Sequence, residues 1–213
     1  VELIRQVIAH RDENRLKGQE YVQFEQYEKI SLGLSNLSPK FKNGKVFKKF
    51  QFLFEQDDSS KTEKYILPAY IEEKVSQIYY RNDPRKYKQY VIAQQKAEFD
   101  PKFIDNNGLS SYFNRLYEKI DIYDNNISLL TNQFLSPIAN SAPTFYRFYI
   151  TDTIKTSQPY LVELSFFPRT KTDFLFQGKL YVTLDGQYAV ESVKMKVNKD
   201  INLNFVRDLN IEL

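Results

Sequence analysis

The sequence predicts an α+β fold built on a curved, half-barrel-like antiparallel sheet, with an N-terminal helix and further helices covering the concave face. Three observations predict it. Aromatic residues make up 15% of the chain, as 16 Tyr and 17 Phe with no Trp, and wide aromatic side chains favour strands. From Thr144 onward, apolar and polar residues alternate with the period of two expected of half-buried strands. At the other end, Leu3, Ile4, Val7 and Ile8 share one helical face.

The elements follow in order. The opening stretch predicts a helix from Glu2 to about Asn14, with Gly18 in "LKGQE" as its terminator. "YVQFEQYEKISLGL" reads as a long strand to about Leu34, rich in aromatic and β-branched residues. In "NLSPKFKNGKVFKKFQFLFEQDD", Val46, Phe50 and Phe54 suit a helix, while Phe50, Phe52 and Phe54 suit a strand; a helical first half running into a strand is the expectation. Asp57–Lys61 reads as a turn. "KYILPAYIEEKVSQIYYR" reads as a strand in which Pro68 forces an edge or a bulge. After the "DPRKY" turn comes another strand in "YKQYVIAQQKAEF", then a helical stripe of Leu109, Tyr112 or Phe113, Leu116 and Ile120. The rest is β: Tyr160, Val162, Leu164 and Phe166 on one face; Leu180, Val182 and Leu184; Ala189, Val193, Met195 and Val197; then Leu209, Ile211 and Leu213. Asp185-Gly186 between two alternating runs is a strong hairpin signal. A four- or five-stranded meander is the simplest assembly.

A chain of 213 residues fits one domain, 1–213, and buries roughly 70% of its unfolded surface. It opens on Val1 and reads as an excised piece of a larger protein. No apolar run is long enough to span a bilayer as a helix. The absence of Cys removes thiol catalysis, thiolate metal sites and disulfides. Six glycines argue against a phosphate-cradling loop. The net charge of +3 is small, and the basic clusters at Lys40–Lys49 and Arg81–Lys88 have acids around them. They read as solvated faces rather than a nucleic-acid site.

One segment stands apart. In a chain that is 27% charged, nothing between Asp124 and Arg147 carries a charge. It is not a membrane span: its amides and hydroxyls are too costly to leave in hydrocarbon, and Pro137 and Pro143 interrupt a helix. Short helical turns and a loop over the sheet are expected. The plainer reading is a core-covering connection. The sharper one is a lid over an apolar cavity, with Ile127, Leu130, Phe134, Leu135 and Ile138 at its mouth.

No constellation specifies a reaction, and no catalytic, cofactor or metal residue is assigned. "DIYDNN" starts like a calcium loop but lacks the central Gly and the bidentate Glu, so capping by Asp121, Asp124 and Asn125 explains it better. His10 is the only histidine, and a solvent-facing position is expected for it. Glu72-Glu73 and Glu25/Glu28 are carboxylate pairs whose separation sequence cannot supply. The tyrosines of "AYIEEKVSQIYYR" and "FYRFYI" suit an interface, but packing across strands is the preferred reading.

Taken together, "YVQFEQYEKISLGLSNL", "LPAYIEEKVSQIYYRNDPRK", "IDIYDNNISLLTNQFLSPIA", "FYRFYITDT", "FFPRTKTDFLFQGKLYVT" and "VNKDINLNFVRDLNIE" resemble the middle region of a Bacteroidota outer-membrane-associated family of unknown function. Its members combine a carboxypeptidase-regulatory-like domain with a C-terminal membrane barrel. The second half is also similar in pattern to the lipoprotein-carrier half-barrel. The resemblance implies a periplasmic, outer-membrane-associated, non-enzymatic module without a cofactor. Its expected partner is the parent protein's own barrel or another envelope protein, with a role in envelope assembly or transport. Two alternatives stand beside it: a carrier or sensor of a lipid or acyl chain under the 125–146 segment, and, lowest, a hydrolase.

Overall fold

A computed structural model of the chain describes residues 2–37, 39–43, 51, 55–56, 65–98, 120–129, 132–170, 173–197 and 206–213. The expectations for Val46, Phe50 and Phe54, for the turn at Asp57–Lys61, for the helical stripe up to residue 119 and for Leu130 lie outside these residues.

The expected N-terminal helix forms as α1 (Glu2–Ala9) and, after His10, α2 (Arg11–Asn14). Ile4 and Val7 are buried, and Leu3 and Ile8 pack beside them. A 3-10 turn at Leu16–Gly18 ends the helical region. The chain then enters β1 (Tyr21–Leu37). A single helical turn, α3 (Pro39–Lys42), and the two-residue β2 (Glu55–Gln56) precede two long strands, β3 (Tyr65–Arg81) and β4 (Lys86–Glu98). Pro68 does cause a bulge: the pairing steps from Leu32 opposite Tyr70 to Gly33 opposite Pro68, skipping one residue of β3.

The second half supplies β5 (Asn126–Leu129), β6 (Asn132–Leu135), α4 (Ala142–Phe145), β7 (Tyr146–Ile154), β8 (Leu161–Pro168), β9 (Phe176–Thr183), β10 (Val190–Val197) and β11 (Val206–Glu212). Strands β7 to β11 form the expected five-stranded meander, and β11 pairs β1 to continue the sheet. The order is β7-β8-β9-β10-β11-β1-β3, with β4 and the short β2 both beside β3. Its pairs are antiparallel, and the sheet is curved without closing. Gly186, in the turn after β9, has φ +89 and needs no side chain there. Leu184 does not share the face of Leu180 and Val182: β9 ends at Thr183, and Leu184 is exposed in the turn. Tyr160, just before β8, is exposed too.

The core lies between one face of the sheet and a cover of two parts. Leu164, Phe166, Phe176, Leu180, Val182, Val193, Met195, Val197, Leu209 and Ile211 come from the sheet. Ile4 and Val7 of α1 and Ile127, Leu129, Phe134 and Ile138 of the uncharged segment close over them. Between residues 120 and 140 the cover is not the expected set of helices. β5 and β6 pair as a hairpin, Asn126 opposite Leu135 and Leu129 opposite Asn132. Its burial alternates, with Ile127, Leu129 and Phe134 inward and Asn126, Ser128 and Gln133 outward. A hairpin satisfies its backbone within itself and against the sheet. Here Leu135 N–H donates to Phe174 O at 3.2 Å, and Leu135 makes a parallel bridge to Leu175.

Candidate interaction surface

The described residues of the predicted lid, Ile127, Phe134, Leu135 and Ile138, sit in or against the core rather than around an opening. Ile127 is 3% exposed and Phe134 and Ile138 are 0% exposed. Leu135 is half-buried and packs against the same cluster. The Phe134 ring stacks on Phe176 at 4.9 Å and meets Phe174 edge-on at 5.4 Å, so the space beneath the segment is filled by side chains. Polar residues of the run serve its irregular backbone. Ser136 Oγ donates to Ile122 O at 2.6 Å and accepts from Ile138 N–H at 3.3 Å. The Tyr146 hydroxyl donates to Leu135 O at 2.6 Å and accepts from Phe176 N–H at 3.1 Å, tying hairpin to sheet. Burial raises the Tyr146 phenol far above its ordinary value, so it stays protonated and keeps both bonds.

Of the "DIYDNN" residues, Asp121 caps a turn as expected, whereas Asp124 and Asn125 chiefly bind arginine side chains. Asp121 Oδ1 accepts from Tyr123 N–H at 2.9 Å, Asp124 is ion-paired with Arg15, and Asn125 accepts from the buried Arg11. These contacts fasten α2 to the start of the cover. His10 is not solvent-facing: it is half-buried, its Nδ1 lies 2.9 Å from Gln6 O, and its ring sits 5.1 Å from that of Tyr188.

On the sheet's outer face, Glu163 is buried and held by three donors. Lys179 Nζ is at 2.8 Å, Thr151 Oγ1 at 2.7 Å and Tyr181 OH at 2.9 Å. The Lys179 ammonium holds the carboxyl below the usual glutamate range, and the two hydroxyls act in the same direction. Such a carboxylate is a poor proton acceptor, and its role is to tie β7, β8 and β9 together. Glu28 pairs with Lys74 at 2.8 Å, and Glu73 pairs with Lys29. Glu72 accepts from Tyr70 OH at 3.0 Å and from Gln94 at 2.5 Å. Of the carboxylates suggested by sequence, Glu28, Glu72 and Glu73 are therefore spent on contacts within the sheet, while Glu25 borders a cleft.

A cleft of about 370 Å³ runs between the start of β1 and β10, floored by Phe24, Ile120, Ile122 and Val193. Glu25, Asp121, Glu191 and Glu212 stand around it, and among the described residues no lysine or arginine lines it. Tyr123 closes one side. Its hydroxyl accepts from Val190 N–H at 2.9 Å, and burial pushes its pKa up to about 12.

The feature that sequence reading missed is β4. Every residue from Lys86 to Lys96 is exposed, on both faces of the strand. Tyr90, Val91 and Ile92 are 54%, 52% and 58% exposed. Among the described residues, β4 pairs only with β3, leaving its outer backbone edge open. An edge strand with unpaired backbone groups and an exposed apolar stretch, here Tyr90–Ala93, is a template for another strand. The tyrosine-rich runs divide by alternation: Tyr70, Tyr80 and Tyr146 pack inward, while Tyr79 and Tyr149 face solvent. Sequence reading expects a strand in "YKQYVIAQQKAEF", but no local pattern marks it as an edge.

Among the described residues no helix is long and apolar enough to cross a membrane, which says nothing of a β-barrel. Comparison with curated proteins finds no match, and comparison with solved structures finds none. The model of a family of unknown function, DUF5686, matches residues 3–213, nearly the whole chain, so the protein belongs to that family.

Proposed function

We propose that the chain is a non-enzymatic module that holds another protein by strand addition at β4. The observation that carries this reading is the pairing of a filled core with an exposed edge. The apolar segment that would have roofed a cavity is consumed in packing, whereas Tyr90, Val91 and Ile92 remain in water beside an open ladder. Main-chain hydrogen bonds would supply affinity, and the alternate side chains of β4 would supply specificity. The family resemblance supplies the setting proposed here: the periplasm, close to the outer membrane, with the parent protein's own barrel or another envelope protein as partner in assembly or transport.

Carriage of an acyl chain is the second reading, moved from the hairpin to the cleft beside β1. Its apolar floor favours a chain, but Glu25, Asp121 and Glu191 around it disfavour a fatty-acid head group, so it ranks below strand addition. Hydrolysis ranks last, because the buried Glu163 is held ionised by Lys179.

A photocrosslinker at Ile92 of the full-length protein in intact cells tests the first reading. The expected result is one dominant adduct that maps to an extended segment of one envelope protein, with none from a probe at Lys155. Diffuse adducts, or none, would overturn it.

A further inference from the structure

Beyond partner holding, we infer that the tip of the ribbon formed by β1, β3 and β4 is a docking surface for an anionic membrane. The register aligns three rows on one face of the ribbon. Tyr21, Arg81 and Lys86 form the first, Gln23, Tyr79 and Lys88 the second, and Glu25, Gln77 and Tyr90 the third. Tyr21 is 71% exposed and Tyr79 41%. Tyr79 and Tyr90 meet edge-on at 5.9 Å, so the exposed rings hold one another in place. Arg81 Nε donates to Pro84 O at 3.1 Å, which fixes the guanidinium beside the turn.

The charges differ from those elsewhere on the sheet. Lys29, Lys74, Lys179 and Lys194 each pair with a glutamate. Among the described residues, Arg81, Lys86 and Lys88 pair with none, and Glu25 is the one acid in the three rows. In the adjoining turn Asp83 and Arg85 offset each other. The face is thus net cationic, with three basic side chains against one acid, which suits an anionic partner.

The shape selects among anionic partners. The hollow over these residues, about 510 Å³, is wide and shallow, with no wall to enclose a small ligand. Tyrosines with polar tips sit well at a lipid–water boundary. Lys and Arg lay their apolar stems against such a boundary and keep their charge at the phosphates. Each basic side chain near an anionic leaflet strengthens partition by about fivefold. An acidic peptide strand would instead use the edge of β4, not this face.

Vesicle co-sedimentation tests the inference, with phosphatidylglycerol-containing vesicles against pure phosphatidylcholine. The protein is expected to prefer the anionic vesicles. A triple variant, Arg81→Gln, Lys86→Gln and Lys88→Gln, should weaken binding by about 100-fold. Arg147→Gln, Lys155→Gln and Lys196→Gln, with the same charge change away from the ribbon tip, should lose far less. Because the chain lacks cysteine, a polarity-sensitive dye on Tyr21→Cys gives a second readout: a blue shift with anionic vesicles, and none from a dye on Lys155→Cys. Equal loss in the two triple variants, no preference for anionic lipid, an unshifted dye at position 21, or tighter binding of an acidic peptide or an oligonucleotide to the same residues would overturn it.

Discussion

Replacing Phe134 with alanine separates a core hairpin from a mobile lid. Phe134 is fully buried and touches the rings of both Phe176 and Phe174. Removing its ring forfeits about 2 kcal/mol of transfer free energy and about 1 kcal/mol for each of two ring contacts. The total, about 4 kcal/mol, falls within the range of about 3–5 kcal/mol seen for Phe→Ala in cores. For a chain of this size that lowers Tm by roughly 8–16 °C. Urea unfolding followed by far-UV circular dichroism measures the loss. Phe145→Ala, at an exposed ring, serves as the control and should change stability by less than about 0.5 kcal/mol. A Phe134→Ala loss below about 1 kcal/mol, or uptake of a fluorescent fatty acid by the wild type that this substitution alters, would refute the packed hairpin.

Three further outcomes follow from named contacts. Tyr146→Phe removes the hydroxyl that joins Leu135 O to Phe176 N–H and should cost about 1–3 kcal/mol in the same urea assay. Gly178→Ala places a Cβ about 2.0 Å from Lys194 O and 2.8 Å from Met195 Cα, both backbone atoms; it should abolish cooperative unfolding, whereas Gly186→Ala meets open space and bears only the strain of its positive φ, about 1 kcal/mol. Glu163 has a folded pKa below its ordinary value of 4.5, so its stabilisation is complete above that value and is lost as pH falls through the folded pKa. Thermal melts from pH 7 down to pH 3 should therefore show a steeper acid loss for wild type than for Glu163→Gln.

Much of this fold was legible wherever a short-range pattern agreed with the tertiary environment. Asp185-Gly186 lies between runs whose inward residues, Val182 and Val193, are buried as their alternation requires. The N-terminal helix was legible for the same reason: Ile4 and Val7 share one helical face, and the sheet needs a cover there. The 126–135 segment was misread because its apolar residues, Ile127, Leu129, Leu130, Phe134, Leu135 and Ile138, suit short helical turns and a loop as well as they suit a hairpin. The bonds of Leu135 to Phe174 and Leu175 reward an extended chain instead, and that tertiary gain outweighs a local period. Position in the sheet was illegible too. Whether "YKQYVIAQQK" is central or terminal depends on strand order, which no local run encodes. The partnership of Glu163 with Lys179, Thr151 and Tyr181 depends likewise on the pairing of three strands.

The central claim is that the uncharged segment is fixed core and β4 is the open, available edge. Native-state hydrogen exchange of backbone amides tests it most directly. The account predicts that Ile127 and Phe134 exchange only through global unfolding, at the same opening free energy as Leu180, while β4 amides on the open edge exchange fastest of any strand. Exchange at Phe134 orders of magnitude faster than at Leu180, with β4 protected, would contradict it.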